Sequence, residues 1–246
     1  MNETLLIEFV IFFISGIFHG LLGFGFPMLA TPMISLFESM KNSILMVISP
    51  TMVLNFKSIQ RDNSFISVFK EYWLLVSFVI LGSFLSTTIL IHFNSRYYRL
   101  ILACLIMLYL FKNYLRLNLT THFLKYDKTY KILFGFASGM ASGLTNIMIP
   151  VLVIYILELK LSKNRAIGVM NFCFLSSKIM QFMIFGISGE FTPYLVYISF
   201  YIVFISFAGL LLGEKLRGKI DEKIYTFILK GTLFLLAVYL TFSVYM

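Results

Sequence analysis

Lys178, with Gln181 one helical turn on and Ser176 and Ser177 before it, is the group in this sequence whose chemistry packing explains least. It lies thirteen residues after Arg165 and eleven before Gly189, inside an apolar run. At about 1.5 Å per helical residue, its amine is about 16–20 Å from either end of that run. Snorkelling does not bridge such a depth. An ammonium near the middle of a bilayer costs at least roughly 2.5–3.5 kcal/mol without a partner. Of the eleven acidic residues only Glu8 falls in a predicted span, close to its end. A bound anion is the most economical counter-ion; the alternative is an amine kept neutral or bonded to backbone carbonyls. Gln181 shares the face of Lys178, and Ser177 adjoins it.

Two Gly-rich stretches supply a second kind of anion chemistry. The first runs Gly16-x-x-His19-Gly20-x-x-Gly23-Phe24-Gly25-Phe26-Pro27. Gly16, Gly20 and Gly23 share a helix face and admit a close neighbour, whereas Gly25 and Pro27 break the helix. Pro at the start of a new half-helix loses no hydrogen bond, and the N–H groups of that half-helix point at the break with the positive end of its dipole. The second stretch is Gly135-x-x-x-Gly139-x-x-x-Gly143-Leu144-Thr145-Asn146, with Pro150 beyond. Thr145 or Asn146 is expected to cap the half-helix that follows. Either stretch alone also suits mere helix packing. Interrupted segments at corresponding places of two repeats favour a transport site. His19, the only His well inside a span, is a candidate proton relay or substrate donor, or else an interhelical hydrogen bond. Asn55, Asn171 and Ser49 are further intramembrane polar groups, and Asn171, two turns before Lys178, ranks first among them.

These residues sit on apolar segments at roughly 4–26, 27–37, 43–60, 72–92 and 97–117, then 131–144, 145–157, 166–187, 191–213 and 224–245. A full span needs about 20 residues, so 27–37 and 145–157 read as half-helices of broken or re-entrant elements. The fold class expected is all-α: a polytopic integral membrane protein of two inverted repeats with broken or re-entrant Gly/Pro half-helices. The polar stretch 118–130 divides a first transmembrane repeat, 1–117, from a second, 131–246. Gly25 to Pro32 matches Gly143 to Pro150, Lys41-Asn42 matches Lys163-Asn164, Lys57 and Gln60 match Lys178 and Gln181, and Gly82 matches Gly209, at offsets of 118 to 127. Five crossing elements per half is an odd number, so the second half should be inverted. With the N-terminus outside, the predicted cytoplasmic regions hold fifteen of the twenty Lys and Arg and the outer regions three, a clear positive-inside bias. Both termini are then outside and the central loop is cytoplasmic, in a cell (inner) membrane.

Composition sets the same frame. The 246 residues are 59% hydrophobic and 13% charged, against about 45–50% and 25% in soluble domains, so lipid must serve as the second solvent. The net charge of +9 does not mean nucleic acid, because the basic residues lie between apolar segments. Cys104 and Cys173 lie inside apolar runs as packing residues, with no metal-ligand spacing and no cofactor motif. No phosphate-binding loop of the Gly-x-x-x-x-Gly-Lys-Ser/Thr kind is present, so transport would be secondary. His19, His92 and His122 are far apart, and no catalytic constellation is visible; the chain reads as a non-enzyme.

The run Gly20-x-x-Gly23-Phe24-Gly25-Phe26-Pro27-x-x-x-x-Pro32, repeated as Gly139-x-x-x-Gly143-Leu144-Thr145-Asn146-x-x-x-Pro150, resembles the sulfite exporter TauE/SafE family. Gly82 and Gly209 to Gly213 add to the likeness, which covers essentially the whole chain; Phe26 and Asn146 stand where that family commonly has Gly. The resemblance implies export, or less often uptake, of small anions such as sulfite and organosulfonates, coupled to a proton gradient. The expected substrate-binding set is His19, Gly23, Gly25, Phe26, Pro27, Gly143, Thr145, Asn146, Asn171, Ser177, Lys178 and Gln181. The expected partners are a small anionic substrate and the lipid bilayer, with a homo-oligomer allowed. The competing readings are a transporter of an unrelated small metabolite and a non-transport membrane assembly subunit.

Overall fold

The computed structural model describes residues 3–61, 65–93, 97–111, 126–217, 219 and 222–242. They form ten α-helices and, among the described residues, no strand. In chain order these are α1 (Glu3–Leu22), α2 (Phe26–Ile34), α3 (Met40–Arg61), α4 (Phe65–His92), α5 (Tyr98–Phe111), α6 (Asp127–Thr145), α7 (Ile149–Glu158), α8 (Lys163–Ile187), α9 (Pro193–Leu216) and α10 (Glu222–Phe242). Most of the predicted linker, 118–125, lies outside the described residues. Four helices are long and apolar enough to cross a membrane, through Leu5–Leu22, Val68–His92, Lys163–Ile187 and Pro193–Leu216.

The two short elements expected from the Gly/Pro stretches are present. Helix α2 has 9 residues and α7 has 10. At about 1.5 Å per residue neither crosses more than about half of a hydrocarbon core of about 30 Å. The chain doubles back at the first of them: Phe26, which opens α2, stacks on Phe12 in α1 with ring centroids 6.2 Å apart.

Glycine decides which helices meet. Helices α4 and α6 run parallel, with Gly82 against the Phe136 carbonyl and Gly139 against that of Val79. Helices α1 and α9 repeat the arrangement, with Gly209 against the Phe13 carbonyl and Gly213 against that of Ile17. Interfaces this close depend on the missing Cβ, as membrane helix pairs do. Each half therefore lends its fourth helix to the first helix of the other. The larger of the other contacts, α3 with α8, α4 with α8, α3 with α9 and α5 with α10, map onto one another when residues 1–117 and 131–246 are exchanged.

The helix starts gather at two ends. Leu5 and Glu8 of α1, Asn42 of α3, and Tyr194 and Leu195 of α9 line one cavity of about 400 Å³, and Lys41 forms an ion pair with Glu190 at 2.7 Å. At the other end, Arg165 of α8 pairs with Glu71 of α4, and Lys131 of α6 lies 5.5 Å from the Tyr72 ring centre. The first helices of the two halves, α1 and α6, thus start at opposite ends. Large apolar side chains remain exposed outside, among them Val196, Phe200 and Phe204 on α9. An apolar outer face of this kind suits lipid contact.

Candidate functional site

Both helix breaks turn on a left-handed residue. Gly23 (φ 88°) closes α1 with its N–H donating to the His19 carbonyl at 2.7 Å. Asn146 (φ 67°) closes α6 with its N–H donating to the Ser142 carbonyl at 2.8 Å. Gly and Asn are the residues that tolerate this position best. The sequence expectation that Thr145 or Asn146 caps the following half-helix is therefore corrected. Thr145 ends α6, its hydroxyl donating to the Ala141 carbonyl at 2.7 Å, and α7 begins only at Ile149. Asn suits an N-cap and a left-handed C′ position equally, so residue type alone does not choose between them.

At an offset of 123, Gly16, Gly20, Gly23 and Pro27 align with Gly139, Gly143, Asn146 and Pro150, and each Pro is the second residue of its half-helix. At the same offset Asn55 aligns with Lys178 and Ser58 with Gln181. Gly82 abuts the Phe136 carbonyl and Gly209 that of Phe13.

At the second break Lys178 is fully buried. Its amine donates to Ser142 Oγ at 3.2 Å, to Asn146 Oδ1 and to Gln181 Oε1. The cage thus satisfies it with side-chain oxygens rather than the backbone carbonyls considered from sequence. Gln181 Nε2 donates in turn to the Ser142 and Gly143 carbonyls, each at 3.3 Å. Asn146 Nδ2 donates to Thr31 Oγ1 of α2 at 3.0 Å. Ser177 bridges Ser142 at 2.7 Å and Ser83 of α4 at 2.6 Å. Gly143 leaves the room that Ser86 occupies, for a Cβ there would fall 1.7 Å from Ser86 Oγ.

At the first break the Phe26 N–H donates to His19 Nδ1 at 3.4 Å. That bond places the ring hydrogen on Nε2, which donates to Ser58 Oγ at 3.0 Å. Asn171 Nδ2 donates to the Gly23 carbonyl at 2.7 Å, tying α8 to this break. Arg217 reaches it from the end of α9, with Nε donating to the Leu21 carbonyl at 3.1 Å. Gly25 (φ 96°) caps α2, and a Cβ on it would lie 3.5 Å from Ile149 Cδ1, the first residue of α7. The Ile149 side chain at the start of α7 therefore packs beside the start of α2.

All twelve expected site residues line one break or the other. Ser49 does not join them; it faces an apolar cavity of about 580 Å³ beside Phe182, Phe191 and Phe200. Residues 8–240 match the model of the sulfite exporter TauE/SafE family. The chain belongs to that family. It matches no individual curated protein and no solved structure. Membership of the TauE/SafE family implies a multi-pass membrane protein that transports sulfur anions, and it is compatible with the absence of any enzymatic constellation from the sequence. Sequence reasoning passed over Thr31, Ser58, Ser83 and Arg217. For Ser58 the signal was present, since it stands where the second half has Gln181; Thr31, Ser83 and Arg217 meet the breaks only through tertiary packing.

Asn146 offers a test of the break itself. Asn146→Gly keeps the left-handed turn but loses the bonds to Lys178 and Thr31, whereas Asn146→Ala loses the bonds and adds backbone strain. The Ala variant should be about 1 kcal/mol less stable than the Gly variant. Equilibrium unfolding in detergent measures the difference, and equal stabilities would contradict the turn geometry.

Proposed function

We propose that this TauE/SafE member is a secondary transporter, working as an exporter, of sulfite or a related small sulfonate, with its site between the two breaks. The observation that carries the reading is the packing of Ile149, at the start of α7, beside Gly25, at the start of α2. Each helix start carries roughly half a positive charge, and helix starts at a break in a membrane are where anionic groups bind. The Lys178 ammonium adds a full charge on the α8 side, and Asn146, Gln181 and Ser177 hold it. Neutralising an oxyanion in low dielectric requires this kind of fixed positive charge.

The two halves are read as inverted repeats. This rests on α1 and α6 starting at opposite ends and on helix contacts that survive exchange of the halves. Such repeats favour alternating access, one bundle rocking against the other around a midplane site. The charge bias supports a cell-membrane orientation with both termini outside and the central loop on the cytoplasmic side. A proton gradient, as the family resemblance implies, supplies the drive.

Thermal unfolding of the purified protein against sulfite, thiosulfate, sulfate, sulfoacetate, taurine, acetate and chloride tests the reading. A ligand at a hundredfold its Kd adds about 2.7 kcal/mol to native stability. Stabilisation specific to a sulfur oxyanion is expected. A well-folded protein that responds to none of these anions would overturn the anion site and favour an unrelated metabolite or an assembly role.

A further inference from the structure

Two fully buried amide oxygens, Asn55 Oδ1 and Asn171 Oδ1, meet no hydrogen-bond donor among the described residues. Asn171 is bonded to the first break, and Asn55 lies on α3 three residues before Ser58, which is bonded to His19 of that break. Asn171 spends its Nδ2 on the Gly23 carbonyl at 2.7 Å and the Ile167 carbonyl at 3.0 Å, so its oxygen turns away from that pair. Asn55 spends its Nδ2 on the Thr51 carbonyl at 2.7 Å and stands one turn before Ser58, the partner of His19. Buried acceptors without donors are rare and costly, and a pair of them calls for an occupant that is positive or carries hydrogen.

The internal register says which. His19 and Ser58 are bonded in the first half, and their counterparts 123 residues on, Ser142 and Gln181, are bonded in the second. In that register Asn55 occupies the place of Lys178. The second break thus contains its own donor, the Lys178 amine held by three side-chain oxygens. The first break keeps an acceptor oxygen at the aligned position and lacks the amine. The last carbonyls of α1, the negative end of that helix, turn toward the same break. Unwound segments and half-helix C-termini hold small cations in transporters of this build. Arg217 serves the Leu21 carbonyl and leaves the two amide oxygens unserved. Its charge, with no carboxylate among the groups bonded at the break, favours a monovalent ion over a divalent one.

We propose that the first break binds a small alkali-metal cation through Asn55 Oδ1 and Asn171 Oδ1, at the counterpart of the place that Lys178 fills in the second break. The ion would offset the charge of an anion bound between the half-helices, independently of proton coupling.

The test uses the full chain in detergent, without any sulfur anion, at constant ionic strength with choline, K⁺, Na⁺ or Li⁺ chloride. A saturable rise in Tm with Na⁺ or Li⁺ over choline is expected, roughly 5 °C at a hundredfold excess over Kd. Asn55→Lys supplies a tethered ammonium and should melt in choline as wild type does in Na⁺, with no further response. Asn55→Ala should weaken Na⁺ binding at least tenfold and decides the matter alone if the Lys variant does not fold. Identical melting in all four salts would mean that the oxygens hold water, and it would overturn the proposal. So would a Na⁺ response unchanged in the variants. Because no sulfite is present, either result stands apart from the fate of the anion reading.

Discussion

Lys178→Met is expected to abolish sulfite transport, by at least roughly a hundredfold, and to lower native stability by about 2–4 kcal/mol. Met nearly preserves the volume of the Lys stem, so the loss is electrostatic rather than steric. The methyl group would leave Asn146 Oδ1 and Gln181 Oε1 buried and facing carbon, while Ser142 retains Ser177. Each buried acceptor so exposed costs about 1–3 kcal/mol, reduced where the neighbours relax. The transport loss has a separate origin, the removal of a full positive charge from a low-dielectric site meant for an oxyanion. Lys178→Arg should not rescue, because its planar fork does not fit a cage built for a compact ammonium. Denaturant unfolding and sulfite efflux from proteoliposomes separate the two effects. A stability loss with sulfite affinity intact would make Lys178 a positioning group for the Asn146 turn. No change in either would remove it from the site.

The broken helices were legible because Gly and Pro punctuate them and because the segments after the breaks are too short to span. The burial of Lys178 was legible from its depth alone. Its partner Gln181 was legible one turn on, but the contacts with Ser142 and Asn146 were not, since these lie more than thirty residues away in sequence. The side of the break that Asn146 serves was not legible either, for the reason that Asn suits both cap positions. Lipid-facing and core-facing side chains are apolar alike in such helices, so periodicity did not separate Phe200 from Phe174, although the first is exposed and the second fully buried.

Gly139→Ala is expected to cost about 3 kcal/mol or more, a large effect for one methyl group. The added Cβ would lie 2.2 Å from the Val79 carbonyl oxygen, 2.9 Å from the Ser83 nitrogen and 3.0 Å from Gly82 Cα. All three are backbone atoms, so no side chain can swing aside, and α4 must separate from α6. That separation reaches the site directly. Ser83 is bonded both to Ser177 at 2.6 Å and to the Gly139 carbonyl at 3.4 Å, and Ser177 leads through Ser142 to Lys178. Transport should therefore fall along with stability. Gly186→Ala is the control, for a Cβ at Gly186 meets nothing within 4 Å, and Ala in the last turn of α8 gains helix propensity, by less than the roughly 1 kcal/mol of an interior position. Unfolding midpoints of the two variants should thus move in opposite directions from wild type. If both were equally tolerated, the halves would not be joined by a backbone contact at Gly139, and the coupling of α4 to the Lys178 cage would have to run elsewhere.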